Sequence, residues 1–248
     1  MALFRTHCDE FLIKSFFRFI IEYTHWMTNT IIEFKKEQPS LVALKTSQNT
    51  KRLDGIRVSD VCVRAVCGEF ERVECGEVLF KEHGLSGIVI FNLSSLFAKN
   101  SCFEGKISIN LLKNFTKTQI FQMLIAKVNI FKTAHLLLES MFAKELANEI
   151  LLRSKIDFDA QTNKFSKTDF EKLVQTITNF EFDVCGHYDN NQVWSGGVKL
   201  DALSKNLEST TKCLYFSGEV CDIDAVCGGF NLSWAWSSAN AIAKKIGE

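Results

Sequence analysis

The residue types with the most chemical potential lie together near the carboxyl end, in residues 213–238, CLYFSGEVCDIDAVCGGFNLSWAWSS. CLYF reads as a short buried strand. Gly218 then lets the chain turn sharply, and Glu219, Asp222 and Asp224 bring carboxylates to the strand's C-terminal end, the edge at which open α/β sheets bind ligands. Gly228 and Gly229 stand just before a helix. Their missing side chains let a ligand approach the backbone, where the first N–H groups of the helix carry partial positive charge. A flavin suits both features: its reduced ring gathers negative charge around N1 and the C2 carbonyl, and a strand-end carboxylate accepts hydrogen bonds from ribityl hydroxyls. Spacing alone leaves an alternative open, in which the glycines are only a tight turn and the acids are solvated loop residues.

Other candidates are weaker. His83 and His187 are of the type that titrates near neutral pH, but their neighbours read as turns. Cys221 and Cys227 flank the presumed flavin loop, and the five residues between them argue against a C-x-x-C-like redox pair. Trp234 and Trp236, two apart on the last helix, point to different faces, so one is expected in the core. Cys62, Cys67 and Cys75 lack metal-ligand spacing, no C-x-x-C pair occurs, and no metal is expected. No catalytic base can be named.

The elements that must hold these residues come from a chain of ordinary globular composition. Of 248 residues, 46% are hydrophobic and 23% charged, which excludes a disordered tail or a membrane bundle. Lys plus Arg (29) balances Asp plus Glu (29), so no global field gathers nucleic acid or anionic lipid, and neither is expected as a partner. Nine cysteines, an odd number in a chain too large to need bridges, fit free thiols in a reducing cytoplasm. The apolar run FLIKSFFRFII at 11–21 is broken by Lys14 and Arg18 on one helical face. It reads as an amphipathic helix covering apolar surface, not as an anchor or signal peptide.

Between Arg57 and Phe91, short apolar stretches (VSDVCVRAV, EVLF, GIVIFNL) alternate with glycines at 68, 76, 84 and 87 and read as strands joined by tight turns. ISINLL adds a strand. Thr116 with Gln119, and Ser166 with Asp169, have capping-box spacing and open helices. Ala134, Leu137, Leu138, Met141, Phe142 and Ile150 repeat as the stripe of one amphipathic helix. Strand-like stretches return from 182 in FDVCGHY, QVWSGGV and CLYFSGEV, and a helix over 230–246 closes the chain. The pattern changes place boundaries near 37 and 181.

Three ordered blocks, GEVLFKEHGLSGIVIFNLS, QVWSGGVKLDAL with NLEST, and FSGEVCDIDAVCGGFNLSWAWSS, resemble the BaiN/YhiN-like (aminoacetone-oxidase-type) flavoproteins. The likeness covers about residues 38–246. It implies an α/β fold with an α+β insert, the C-terminal portion of a two-dinucleotide-binding-domain FAD fold. Residues 38–180 would be the insert, a β-barrel followed by helices; 181–248 would close the FAD domain; 1–37 match nothing in the family. By the same resemblance, Gly218 and Glu219, with Asp222 after them, lie beside the ribityl chain. Gly228, Gly229, Phe230 and Asn231 form the turn and helix start at the flavin ring, and Gly196 and Gly197 approach it from another side. The implied activity is FAD-dependent oxidoreduction, with a nicotinamide donor or small organic substrate.

Departures from the family pattern bear on that activity. The G-x-G-x-x-G turn that binds the FAD pyrophosphate is missing. Trp194, Ser195 and Ile88 replace the residues usual at their positions. These features suggest a truncated copy, completed by a separate chain supplying the missing half, or a non-catalytic remnant that no longer binds FAD.

Overall fold

The computed structural model describes residues 4–5 and 33–247. The amphipathic segment at 11–21 lies outside the described residues. The chain divides into two compact units, Ala43–Asp189, and Met1–Val42 with Asn190–Glu248. The boundaries expected near 37 and 181 fall inside strands, Phe34–Ser40 and Phe180–His187 respectively.

In chain order the strands are β1 (Phe4–Arg5), β2 (Phe34–Ser40), β3 (Leu44–Thr46), β4 (Arg57–Cys67), β5 (Phe70–Lys81), β6 (Gly84–Ser86), β7 (Gly105–Asn110), β8 (Phe180–His187), β9 (Val193–Val198) and β10 (Leu214–Tyr215). The helices are α1 (Ile88–Lys99), α2 (Lys117–Lys127), α3 (Ala134–Glu139), α4 (Lys144–Ser154), α5 (Lys167–Thr178) and α6 (Phe230–Ile246).

The unit at 43–189 is a closed antiparallel barrel in the order β3-β6-β5-β4-β7-β8, with helices α1 to α5. Period-two alternation buries Val61, Val63, Ala65 and Cys67 from β4, Ile107 and Ile109 from β7, and Phe180, Phe182 and Val184 from β8. Phe80 joins Phe180 and Phe182 in the interior, with ring centroids 5.2 to 6.3 Å apart. Closure removes the unpaired edges that an open sheet would present. Both capping boxes form as the sequence predicts, Thr116 with Gln119 and Ser166 with Asp169.

Three expectations change. GIVIFNL is not a strand but the start of α1. Val89, Ile90, Leu93 and Phe97 are buried at three- and four-residue spacing, and this tertiary pattern outweighs the β-propensity of valine and isoleucine. The long helix read from 134 to 150 is two helices, α3 and α4. Ser140 turns its hydroxyl back to the Leu137 carbonyl at 2.7 Å and Ala143 is extended, so the chain breaks between them. The third concerns the cysteines: Cys62 and Cys75 stand opposite each other on β4 and β5 and are bonded as a disulfide. The chain needs no bridge for its core, but strand register places these two side chains together.

Within the first of the three family-like blocks, the segment HGLSG at 83–87 has a steric account. A Cβ on Gly84 would collide with the Leu44 carbonyl oxygen across the β3–β6 pair, and Gly87, at φ +100°, turns the chain into α1. His83 sits exposed in the preceding turn, and the His187 ring packs on Phe103 with centroids 4.5 Å apart.

In the other unit β1 pairs antiparallel with β10, and β2 with β9. Its buried cluster is Val198, Leu214, Phe216 and Cys221, with Leu203, Val220 and Trp234 packed against it. Among the described residues no helix is long and apolar enough to cross a membrane, and no group of three His, Cys, Asp or Glu converges as for a metal ion.

Candidate functional site

After β10 the chain passes through buried Ser217 into a single 3-10 turn, Gly218–Val220. Gly218, at φ +70°, is fixed to α6 at both its polar atoms. Its N–H donates to Ser238 Oγ at 2.9 Å, and its carbonyl accepts from Trp234 Nε1 at 3.0 Å. A side chain here would meet the Cβ of Ala235 at 3.4 Å. The turn is thereby held against Trp234, Ala235 and Ser238 of α6, with Glu219 next in the chain.

Glu219 Oε1 accepts the Trp194 backbone N–H at 2.7 Å, joining the turn to β9. Burial pushes the Glu219 carboxyl above the usual carboxylate range, and the Trp194 amide partly opposes that shift. A carboxylate has about four lone-pair positions, so one amide leaves acceptor capacity for a ligand's hydroxyls.

The loop from 222 to 229 is held by side chains. Asp224 accepts Ser195 Oγ at 3.1 Å and Ser40 Oγ at 3.3 Å, tying the loop to β9 and β2. Asn231 closes a two-bond clamp on Ala225, accepting its N–H at 2.9 Å and donating to its carbonyl at 3.0 Å. Gly228 and Gly229, at φ +134° and +84°, then turn the chain into α6, whose start has no side-chain cap. Nothing lies within 4 Å of where a Gly229 Cβ would be. A backbone bare on that side, at the positive end of a 17-residue helix, suits an electron-rich group.

In front of these amides lies a cavity of about 470 Å³, within the usual range for small-molecule sites. Its polar lining comes from Gln192, Ser217, Glu219 and Asn231, with the backbone of Gly218, Gly228 and Gly229. Leu41, Val193, Leu232, Ala235 and Ala239 supply apolar wall, and Cys227 completes it. Apolar walls for a flat ring, a helix start for its electron-rich edge and a carboxylate for a polyol chain make this lining fit the ring-and-ribityl half of a flavin.

Of the residues singled out from sequence, the cavity gathers Gly218, Glu219, Gly228, Gly229 and Asn231. Gly196, Gly197, Asp222 and Phe230 are not in its lining. Gly196 instead admits close pairing with β2, since its Cβ would sit 2.6 Å from the Lys36 carbonyl oxygen. A Cβ on Gly197 would collide with the Val220 carbonyl oxygen. Asp222 bonds through its backbone N–H to the Val198 carbonyl at 2.8 Å, and the Phe230 ring is exposed, beside Gly228. Cys221 is in the buried cluster, its thiol pushed up to about 12 by burial, whereas Cys227 is on the cavity wall. Trp234 packs in the core, as expected for one of the pair, while Trp236 is 78% exposed. Sequence reading missed Gln192, Val193 and Ser217, which belong to the ends of short extended segments. Ala235 and Ala239 carried a usable signal, two small residues four apart on the helix that follows the glycines.

Residues 38–193 match the model of the HI0933-like protein barrel and H2TH domain, over half of the chain. The chain belongs to the HI0933-like family. The barrel and the helices between β7 and β8 account for most of the matched HI0933-like span. A 3-dehydro-bile acid delta(4,6)-reductase of Clostridium scindens is 30% identical over 223 residues, 85% of this chain and 54% of that protein. Ribosomal RNA dihydrouridine synthases are also similar: that of Haemophilus influenzae at 30% identity over 208 residues (82% of this chain, 49% of that protein), and that of Escherichia coli at 28% over 221 residues (87% and 51%). This HI0933-like chain thus spans about half the length of the curated relatives it matches. The family match and the reductase establish the BaiN/YhiN-like relationship, and with it a family of flavoprotein oxidoreductases.

Proposed function

We propose that the cavity at the start of α6 holds the isoalloxazine and ribityl parts of FAD, and that the chain is the ring-binding half of a flavin-dependent reductase. The observation that carries this reading is the hollow in front of Gly228 and Gly229 with Glu219 on its wall. When bound, the flavin would supply hydride-level electron transfer from a nicotinamide donor to an acceptor. One relative is named as a reductase of a bile acid and two as dihydrouridine synthases of ribosomal RNA; following the bile-acid reductase, the acceptor class we favour here is a small organic molecule.

The protein's own residues have distinct duties in this scheme. The α6 amides and macrodipole stabilise negative charge at one edge of the ring. Glu219, kept in place by the Trp194 amide, accepts ribityl hydroxyls. Leu41, Val193 and Leu232 exclude water from the ring's faces. The adenine and pyrophosphate half has no G-x-G-x-x-G turn in this sequence, and we assign that half of the FAD site to another polypeptide segment. A cytoplasmic setting, where nicotinamide donors are abundant, suits the activity.

The same missing turn favours a second reading, a non-catalytic remnant that folds and acts by contact alone. The purified protein distinguishes the two: a visible flavin absorption band, copurified or acquired from added FAD, supports the first. A colourless protein that leaves the spectrum of added FAD unchanged supports the remnant.

A further inference from the structure

At one end of barrel strand β4, two thiols meet that have no part in the cavity. Cys67 closes β4 and is only 2% exposed, whereas Cys102 lies exposed in the loop between α1 and β7. They are 35 residues apart in sequence, yet the Cys67 thiol donates to the Cys102 carbonyl oxygen at 3.5 Å. The fold fixes this meeting from both sides. β4 pairs with β7 through Val66 and Lys106, and the backbone at Cys102 is pinned by its N–H to the Phe97 carbonyl at 3.0 Å. The exposed Cys102 side chain makes a weak bond to the Glu104 carbonyl at 3.7 Å and interacts with the Cys67 thiol, and being exposed it can rotate among its staggered positions beside Cys67.

We propose that Cys67 and Cys102 form a second, reversible disulfide when the protein meets a low-molecular-weight disulfide such as oxidised glutathione. The exposed partner reacts first. The Cys102 thiolate attacks one glutathione sulfur, the glutathione S–S bond breaks, and one glutathione thiolate leaves. The Cys67 thiolate then attacks Cys102 Sγ, forming the protein disulfide and expelling the second glutathione thiolate. Two protein thiols are oxidised, one oxidised glutathione becomes two reduced ones, and the two protons leave cysteine for glutathione. Burial, with the Cys102 thiol next to it, pushes the Cys67 thiol up, so the closing step is slow at neutral pH and quickens as pH rises. The product would join the loop after α1 to the barrel wall, on the strand that already carries the Cys62–Cys75 bridge.

The test treats the whole chain with oxidised glutathione, quenches by alkylation and maps the peptides by mass. Expected is a peptide pair linked through Cys67 and Cys102, reversed by reductant and formed faster at alkaline pH. Cys185, exposed on β8, serves as the control and stops at the glutathione adduct. Cys67→Ser should leave Cys102 as a stable adduct. Cys102→Ser, an exposed change that spares the core, should leave Cys67 unmodified. A wild-type map in which Cys102 keeps its glutathione while Cys67 remains open to alkylation overturns the proposal. So does a map in which Cys67 is linked to another cysteine.

Discussion

The backbone N–H of Trp194 donates to Glu219 Oε1 at 2.7 Å, so the strand β9 and the strand-end turn share one carboxylate. That single bond positions the acid that the proposed flavin site requires, and it gives the two roles of Glu219, structural and ligand-binding, separate signatures.

Glu219→Gln keeps an acceptor for the Trp194 amide and removes the burden of a buried charge. We expect its melting temperature without ligand, at neutral pH, to equal or exceed that of the wild type, while flavin affinity falls because an amide oxygen is the weaker acceptor. Glu219→Ala loses both contacts and should weaken flavin binding by about 1–3 kcal/mol, the worth of a charge-assisted hydrogen bond. Calorimetry and fluorescence titration of the two variants read the difference.

The raised pKa of Glu219 fixes the sign of a pH dependence. Folding favours the protonated acid, so this group's contribution to stability is full below the ordinary value of 4.5 and declines as pH rises through the higher folded value. Ribityl hydroxyls act in the opposite sense by favouring the carboxylate. Flavin affinity should therefore increase with pH across that same window, with a proton released on binding. Titrations at several pH values in buffers of different ionisation enthalpy measure the release.

Two glycines should respond differently to alanine. At Gly197 a methyl group would collide with the Val220 carbonyl oxygen, and the φ of +113° is unfavourable to any side chain. We expect a loss of about 2–3 kcal/mol in the stability of that unit. At Gly229 nothing stands within 4 Å, so Gly229→Ala should cost only the left-handed backbone penalty, about 1–2 kcal/mol. Its methyl would instead reduce flavin uptake.

The barrel unit offers a prediction independent of any ligand. Ser166 donates its Oγ–H to Asp169 Oδ2 at 2.7 Å, and the Ser166 N–H donates to the same oxygen at 3.0 Å, which together hold the Asp169 carboxyl below its usual range. Its contribution is full above the ordinary value of 3.8 and is lost as pH falls through the lower folded value. Ser166→Ala should cost about 1 kcal/mol at neutral pH and flatten that acid-side decline, as urea unfolding at a series of pH values would show.

Local signals in the sequence were strong where one short segment decides the outcome. Both capping boxes follow from spacing alone, and β4 is legible as a valine-rich strand, because a cap or a local composition depends on residues a few positions apart. The helix at 88–99 was illegible because its β-branched residues look like a strand until the barrel offers a surface for Val89, Ile90, Leu93 and Phe97 to bury. The Cys62–Cys75 bridge depends on strand register, which composition does not encode. In the site, the turns at Gly218 and Gly228 could be read directly. The steric roles of Gly196 and Gly197 could not, since they depend on backbone brought in from β2 and from the turn at Val220.

The most direct test of the account compares riboflavin with FAD in equilibrium titrations of this chain, followed by quenching of flavin fluorescence. If the cavity takes the ring and ribityl chain while no turn in this sequence holds the pyrophosphate, the two ligands should bind with dissociation constants within a few-fold of each other, and Gly229→Ala should weaken both alike. Absence of quenching by either flavin, or FAD binding that ignores Gly229→Ala and Glu219→Ala, would contradict it.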